Sequence, residues 1–423
     1  MKLRSVFLTS VSLGSLALGC ENPNPTPTDA AVPPSDAVQS DAGPPVDAFS
    51  TTDAARPACE GEATDFPGAT DYACPTVRAA LTAMPNAFPY VLEPPGASAR
   101  AVAFEQMRTN GFFDYASDPE PADFTTTQDL YLGGGEGIAS RTERRFDPHF
   151  PLPSTAPADM LRICQDETIW RANPQFCIGP STLNPIILQA LQQGQLGDTS
   201  EPQRFRAARI EAAILWFLHV SAYKEATTCI TVFPGGDGGT DDCDSAWGYY
   251  TGGADRTTGI GYASLVHELE PATHDAIWEG LLAIRCWREM DPSDPAMVDW
   301  SDISTPQLAF FERAHAQEDR ALDRGMVVVL MDRLHRLHTT SGMEQAANLE
   351  FLRTILGPHE AITLTDTMGM STTYPAGPSL FDRTLRAVSA TDADFVATEI
   401  AKPVADIDVD AIIARLDAAF PCP

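Results

Sequence analysis

Helical periodicity beyond residue 157 is the feature that most constrains this fold. In Pro202–Ala226, apolar residues recur at three- and four-residue spacing, as on the buried face of an α-helix. Further helical segments are predicted at 157–170, 182–193, 262–290 (interrupted by Pro271), 306–338, 342–356, 379–389 and 408–420. Strands and helices do not alternate regularly, and no internal repeat is present. The sequence therefore predicts a mostly α fold, an irregular helical bundle with long, disulfide-stapled loops.

Residues 1–20 have three zones. Lys2 and Arg4 are positive, Val6–Leu18 is uncharged and apolar or small, and the run ends at Cys20. A secretory signal has this order, and the apolar run is too short to span a membrane, which needs roughly 20 residues. The segment resembles the lipobox of bacterial lipoproteins, in which the cysteine is diacylated. We expect residues 1–19 to be a signal peptide and Cys20 to carry lipid; the alternative is an ordinary signal peptide cut nearby.

Residues 20–58 are rich in Pro, Asp, Ala, Ser and Thr, with little apolar surface to bury. Such a composition predicts a disordered tether. Residues 59–423 are long enough for one large, mainly helical domain. The resulting expectation is a lipoprotein held to a membrane by its lipid anchor, with the domain in the periplasm or on the cell surface.

The formal net charge of −30 limits the partners of the chain. An acidic surface repels phosphate backbones, and the sequence lacks a basic patch or a stacking array of aromatic residues. We therefore expect no nucleic-acid binding.

Eight of the nine cysteines remain once Cys20 is set aside. None lies in a CxxC or CxxCH pattern, which excludes thioredoxin-like chemistry, zinc ribbons and covalent haem. In an oxidising compartment an even number of cysteines predicts four disulfides. Among the possible pairings we favour three local loops and one long connection, Cys59–Cys74, Cys164–Cys177, Cys229–Cys243 and Cys286–Cys422.

The segment 229–253 is rich in Gly and Asp and lies partly inside a predicted disulfide loop. Calcium favours several carboxylate oxygens on one loop, so this segment is a candidate calcium site, although it does not match the EF-hand pattern. The alternative is a solvated loop. We also expect Trp247, which follows the loop, to pack inside the bundle. The candidate ligands are Asp237, Asp241, Asp242 and Asp244.

The run Asp244–Gly252 (DSAWGYYTG) resembles the "acidic-x-Ala-aromatic-x-Tyr" segment of imelysin-like proteins. The resemblance implies a helical periplasmic or lipid-anchored bacterial protein, of a family implicated in iron uptake and once described as peptidases. A second mark of that family is GxHxxE. Its His-x-x-Glu half occurs here as His267/Glu270 and as His315/Glu318, with Leu265 and Arg313 in place of the glycine.

A histidine and a glutamate three residues apart lie on one helix face and can share a metal ion. The alternative for both pairs is an exposed polar face. No HExxH, P-loop or GxSxG motif is present, so the sequence nominates no catalytic residue.

Three functions remain open at this point. The first is a lipoprotein of the imelysin-like kind that binds a metal, haem or a small ligand at the cell envelope. The second is a metal-dependent envelope enzyme that uses the His/Glu pairs. The third is a structural or protein-interaction lipoprotein that docks an envelope protein partner without ligand chemistry.

Overall fold

Helices make up most of the computed structural model, which describes residues 96–150, 160–230, 239–289, 305–365 and 368–422. The described residues all belong to one compact unit of the chain, Pro57–Pro423. The α-helices are α1 Gly96–Thr109, α2 Pro121–Leu132, α3 Ala139–Thr142, α4 Glu167–Ala172, α5 Asn184–Gln195, α6 Gln203–Ile230, α7 Thr240–Thr251, α8 Tyr262–Leu269, α9 Pro271–Glu289, α10 Thr305–Thr339, α11 Gly342–Leu356, α12 Asp382–Val388, α13 Ala390–Ile400 and α14 Val409–Ala419. The predicted mostly α class is confirmed.

Helix α6 is the centre of the bundle. It is apolar on nearly every face, which is typical of a helix buried on all sides. It packs against α5, α7, α10 and α11, while α10 also packs against α9 and α11. The two longest helices, α6 and α10, therefore run through the core, and polar side chains on their facing surfaces are buried with them.

The segment predicted as an acidic loop is mostly helix α7 (Thr240–Thr251), so the loop prediction is wrong for these residues. The Cys229–Cys243 disulfide attaches the first turn of α7 to the last turn of α6. Gly248 lets α7 approach α1 closely, because a Cβ there would lie 2.9 Å from the Cβ of Ala97. Tertiary packing and the disulfide thus stabilise a helix of poor intrinsic propensity. Trp247 is buried, as predicted.

Four further elements were not predicted: α2, the short α3, α13 and an antiparallel hairpin. The hairpin pairs β1 (Ile362–Thr365) with β2 (Ser371–Tyr374). Helix α2 begins with a proline and a capping box, in which the Asp123 carboxylate accepts from the Glu120 backbone N–H at 2.8 Å. At α14, Asp408 caps the helix and accepts from the backbone N–H of Ala411.

Two predicted disulfides, Cys164–Cys177 and Cys229–Cys243, are present. Cys422 is also disulfide-bonded, while the side chain of its predicted partner, Cys286, lies outside the described residues. Within the described ranges, no helix combines the length and apolar character needed to cross a bilayer. Several predictions fall outside the described residues; they concern the signal peptide, the tether, Cys20, Cys59 and Cys74 in the N-terminal part, and Asp237 in the range 231–238.

Candidate metal centre

Helix α10 carries a row of potential metal ligands. His315, Asp319 and Asp323 are spaced by four residues, with Glu318 beside them, so all four lie near one face of the helix. One ligand atom each from His315, Glu318 and Asp319 lies within 4.8 Å of the others. The Nε2 of His315 is 3.4 Å from the Oδ1 of Asp319. Of the two predicted His/Glu pairs, His315/Glu318 therefore has a third potential ligand, Asp319, on the same helix.

Glu318 is fully buried, with 0% exposure. It lies where α10 crosses α9, and Gly280 of α9 permits the approach, because a Cβ at Gly280 would be 2.8 Å from the Cβ of Glu318. Among the residues that the structure describes, the Glu318 carboxylate has no basic partner, and the side chain beside it is another acid, Asp319. A buried acid without partners is costly unless it is neutral or meets a cation.

The other buried glutamates and aspartates have basic partners. Arg333 contacts Glu211, Arg145 contacts Glu225 and Arg285 contacts Asp244, at 2.6, 3.0 and 2.8 Å. Glu399 is likewise paired with a lysine, and Asp147 with a histidine. In the described part of the chain Glu318 has no such partner. The fold therefore pairs its buried acids with bases, except on this face of α10.

The pKa values on this face reflect burial and the crowding of acids. Burial, together with the negative charges of Asp319 and Asp323, raises the pKa of Glu318 well above its usual value. Burial, followed by the charge of Asp323, raises the pKa of Asp319 to about 8. Burial lowers the pKa of His315 to about 4, so this imidazole is neutral and has a lone pair for a metal at neutral pH.

A second histidine reaches the same region from the segment before α4. The Nδ1–H of His149 donates to the Oδ1 of Asp147 at 2.7 Å, and its buried Nε2 has no partner in the ranges described above. Although burial lowers the pKa of His149, the charge of Asp147 raises it to about 9, with contributions from Asp319 and Asp323. His149 is therefore charged at neutral pH, and its positive charge opposes the rise in the pKa of Asp319.

The Cys164–Cys177 disulfide helps to position this segment. The Asp147 backbone N–H donates to the Phe176 carbonyl at 2.7 Å, next to Cys177. Phe146 and Phe176 stack with ring centroids 5.1 Å apart, inside a small core that includes both cysteines. The disulfide therefore stabilises the part of the chain that presents His149.

Helix α6 supplies the third side of the region. His219 is fully buried, and its Nε2 lies 3.5 Å from the Oδ1 of Asp323. One turn further along α6, the ring of Tyr223 packs on the ring of His149 with centroids 4.2 Å apart. Tyr223 also hydrogen-bonds with Asp319, which opposes the rise in the pKa of that acid. Residues from three separate segments thus converge on one face of α10.

The second predicted pair, His267 and Glu270, does not form such a group. Arg324 binds Glu270 through both carboxylate oxygens at 2.9 Å. The ring of His267 packs instead against that of His274, with centroids 5.1 Å apart. Helix α8 ends at Leu269 with Glu270 as its C-cap, and α9 begins at Pro271. His267 and Glu270 therefore do not lie on one continuous helix. The prediction that this pair shares a metal is not supported by this geometry.

The predicted calcium ligands are also dispersed. Asp244 is buried in an ion pair with Arg285, and Asp242 lies beside Glu225. Asp241 is exposed on the first turn of α7. The expectation that these aspartates share a solvated loop is therefore wrong for Asp242 and Asp244, because the helix turns them toward different partners. No histidine joins them in a metal-ligating group among the described residues.

Asp242→Asn should make the protein less sensitive to high pH. Burial, followed by the charge of Glu225, raises the pKa of Asp242 to about 8, while Lys224 and Arg145 keep Glu225 ionised. The unfolded acid ionises near pH 4, so the cost of keeping Asp242 protonated grows between about pH 4 and pH 8. Asparagine avoids this cost. We expect the variant to melt about 2 to 4 °C higher at pH 8.5 and equally at pH 4.

Thermal melts of both proteins between pH 4 and 9 measure this difference. Asp241→Asn, an exposed change on the same turn, is the matched control and should follow wild type throughout. An Asp242→Asn protein with the same pH profile as wild type would contradict the assignment.

Sequence reasoning missed Asp147, His149, His219, Asp319 and Asp323. A signal existed for two of them: the four-residue spacing extends from His315 through Asp319 to Asp323. His219 interrupts an otherwise apolar stretch of α6, which is also unusual. Chemically, the combined set mixes imidazole nitrogens with carboxylate oxygens, and this mixture suits zinc, iron or manganese better than calcium.

Comparisons of the chain with protein-family models, with curated proteins and with solved structures find no match. The geometry of the α10 cluster is therefore the main guide to function.

Proposed function

We propose that this chain is an exported, lipid-anchored protein of the cell envelope whose helical domain binds a divalent transition-metal ion. His315, Glu318 and Asp319 are the proposed ligands. The observation that carries the proposal is the fully buried Glu318, which has no basic partner among the described residues and whose ligand atom lies within 4.8 Å of those of His315 and Asp319. A bound cation would neutralise these acids and accept the lone pair of His315. The local resemblance to imelysin-like proteins, which are implicated in iron uptake, agrees with this class of ligand.

The separation of the ligand atoms supports a small ion. Zinc–nitrogen and zinc–oxygen bonds of about 2.1 Å place two tetrahedral ligand atoms roughly 3.4 Å apart. The His315 Nε2 and Asp319 Oδ1 atoms are 3.4 Å apart. Asp319 retains 21% exposure of its side chain, which gives an ion a route of approach. The proposed activity is ion binding, and none of these residues is proposed as a nucleophile or general base.

Glu318→Gln should abolish metal binding at this group without unfolding the protein. Glutamine keeps the shape of the side chain but is a poor metal ligand. Loss of an outer-shell partner alone costs about 10- to 100-fold in affinity, so loss of a ligand should cost more than about 100-fold. Because glutamine is neutral, it also removes the cost of a buried acid. The full chain is stripped with chelator, titrated with Co²⁺ and Zn²⁺, and followed by absorption spectroscopy and calorimetry.

The matched control is Glu312→Gln, an exposed glutamate on the same helix. It should bind Co²⁺ and Zn²⁺ as wild type does. Equal affinities in wild type, Glu312→Gln and Glu318→Gln would overturn the metal assignment at Glu318 and favour the structural or protein-interaction function.

Cys20→Ser should release the protein from membranes. The proposed lipid on Cys20 is the anchor, and several acyl chains on one residue hold a protein stably, at about 0.8 kcal/mol for each buried methylene. Labelled palmitate incorporation and membrane fractionation in the native host measure this. Ser15→Ala, a change inside the same signal segment, is the control and should leave labelling intact. A wild-type chain that takes up no label would contradict the lipoprotein proposal.

A further inference from the structure

Four arginines lie together where α1 meets the chain around α3. They are Arg100 of α1, Arg141 of α3, and Arg144 and Arg145 just after α3. The guanidinium groups of Arg100 and Arg145 both lie near the ring of Tyr249, at 5.9 and 5.3 Å from its centroid. The Arg144 backbone N–H donates to the Arg141 carbonyl at 3.1 Å, so these two residues are one turn apart on the same side of the chain. The result is a local concentration of positive charge in a chain whose net charge is −30.

Two of the four arginines are occupied by structural contacts. Arg100 donates to the Gly137 carbonyl at 3.2 Å and to the Ser140 hydroxyl at 3.1 Å. Arg145 donates to Glu225 at 3.0 Å and to the Tyr249 hydroxyl at 3.2 Å. These contacts attach the chain around α3 to α1, α6 and α7, and therefore fix the segment that carries the other two arginines.

Arg141 and Arg144 have no such contacts. The Nε atom of each is buried and has no hydrogen-bond partner, and neither side chain forms an ion pair with an acid among the described residues. Burial, followed by the positive charges of Arg141 and Arg145, lowers the pKa of Arg144. A buried donor without an acceptor costs free energy, and two neighbouring cations repel each other. Both costs would be removed by an anion bound between the two side chains.

Arginines outside this cluster show how the chain usually neutralises them. Three of them bind a carboxylate four residues earlier in the same helix; the pairs are Arg171 with Glu167, Arg336 with Asp332, and Arg386 with Asp382. Four residues before Arg141 and Arg144 the sequence has Gly137 and Ser140, neither of which carries a charge. The local sequence therefore leaves these two guanidinium groups without a carboxylate at that position.

We infer that Arg141 and Arg144 bind a phosphate group, either of a soluble phosphate or of a lipid headgroup. A phosphate monoester carries a charge of about −1.5 to −2 at neutral pH, which balances two guanidinium groups. Its several oxygens can accept from both arginines, whereas the two oxygens of a carboxylate are already satisfied by one guanidinium. This site shares no residue with the α10 cluster, so it is independent of the proposed metal binding.

Phosphate binding to the full chain tests the inference. Wild type is titrated with inorganic phosphate, and with acetate for comparison, by calorimetry and ³¹P NMR. Phosphate should bind more tightly than acetate. The double variant Arg141→Gln/Arg144→Gln should bind phosphate more than about tenfold more weakly, because both sets of charge-assisted hydrogen bonds are lost. Arg141→Lys/Arg144→Lys keeps the charges but not the paired donors and should be intermediate. Arg336→Gln, which removes the same charge elsewhere, is the matched control and should bind as wild type does.

Vesicles separate the two sources of the phosphate group. Binding of each protein is measured to phosphatidylcholine vesicles with and without phosphatidylglycerol. A gain with phosphatidylglycerol in wild type but not in the double glutamine variant, without binding of free phosphate, would assign the site to lipid headgroups. Binding of free phosphate would assign it to a soluble ligand.

Three results would overturn the inference. They are a wild-type protein that responds to neither phosphate nor phosphatidylglycerol, equal responses in wild type and both double variants, and acetate binding as tight as phosphate binding. The last result would assign the two arginines to a carboxylate ligand instead. Circular dichroism checks that each variant is folded, and the lysine variant carries the comparison if the glutamine variant is not.

Discussion

Replacing Arg333 with methionine is expected to destabilise the protein by about 3 to 5 kcal/mol, because it leaves a buried carboxylate without its cation. Arg333 donates to Glu211 at 2.6 Å and to the Asn348 side chain at 3.2 Å. Its guanidinium also lies over the rings of Tyr115 and Phe351, at 5.1 and 4.7 Å. After the substitution, the hydrogen bond from the Tyr115 hydroxyl is the one contact that Glu211 keeps among the hydrogen bonds of the described residues.

Urea denaturation of the full chain measures this loss of stability. Two further variants serve as a control and as a rescue. Arg336→Met removes an exposed i,i+4 ion pair with Asp332 on the same helix and should cost less than about 1 kcal/mol. Arg333→Met combined with Glu211→Leu removes both charges and should recover much of the stability. If Arg333→Met costs no more than Arg336→Met, the buried pair contributes little and the prediction is wrong.

Trp247→Ala is expected to cost a similar 3 to 5 kcal/mol, roughly the range for deletion of a large core side chain. Trp247 has 0% exposure and packs edge to face against Trp278 of α9, with centroids 3.8 Å apart. The truncation leaves a cavity between α7 and α9 that neither helix can close freely. Gly248, the next residue, already holds α7 tightly against α1.

Urea denaturation again measures the effect. Leu196→Ala, which truncates a side chain with 77% exposure, is the matched control and should change the free energy of unfolding by less than about 0.5 kcal/mol. Trp247→Phe should fall between the control and Trp247→Ala, since it retains part of the aromatic volume. A Trp247→Ala protein as stable as the Leu196→Ala protein would place Trp247 outside the core.

The main helices could be predicted because their apolar spacing is a local property of the chain. The predicted 342–356 helix matches α11, and the predicted 306–338 helix differs from α10 by one residue at each end. Helix α7 could not be found in this way. Its glycine and aspartates favour a loop locally. The helix is stabilised instead by packing against α1 and α6 and by a disulfide, which are tertiary contacts that a local pattern does not show.

In the candidate site, too, local features could be predicted and tertiary ones could not. His315 and Glu318 were predictable because they are three residues apart in one predicted helical segment. His149 and His219 approach α10 only through the packing of other segments, and no local pattern reports that packing. The opposite error arose at Glu270, where the sequence shows the acid but not that Arg324 already binds it.

Under the proposed function, the burial of Glu318 has a consequence for the lifetime of the protein. An ion that binds the folded chain but not the unfolded one lowers the fraction of molecules that open, by about tenfold for each 1.4 kcal/mol. Proteases act on that open fraction. If the proposed ion binding is correct, chains without an ion would be degraded faster than loaded ones, and the abundance of the protein would follow the supply of the metal.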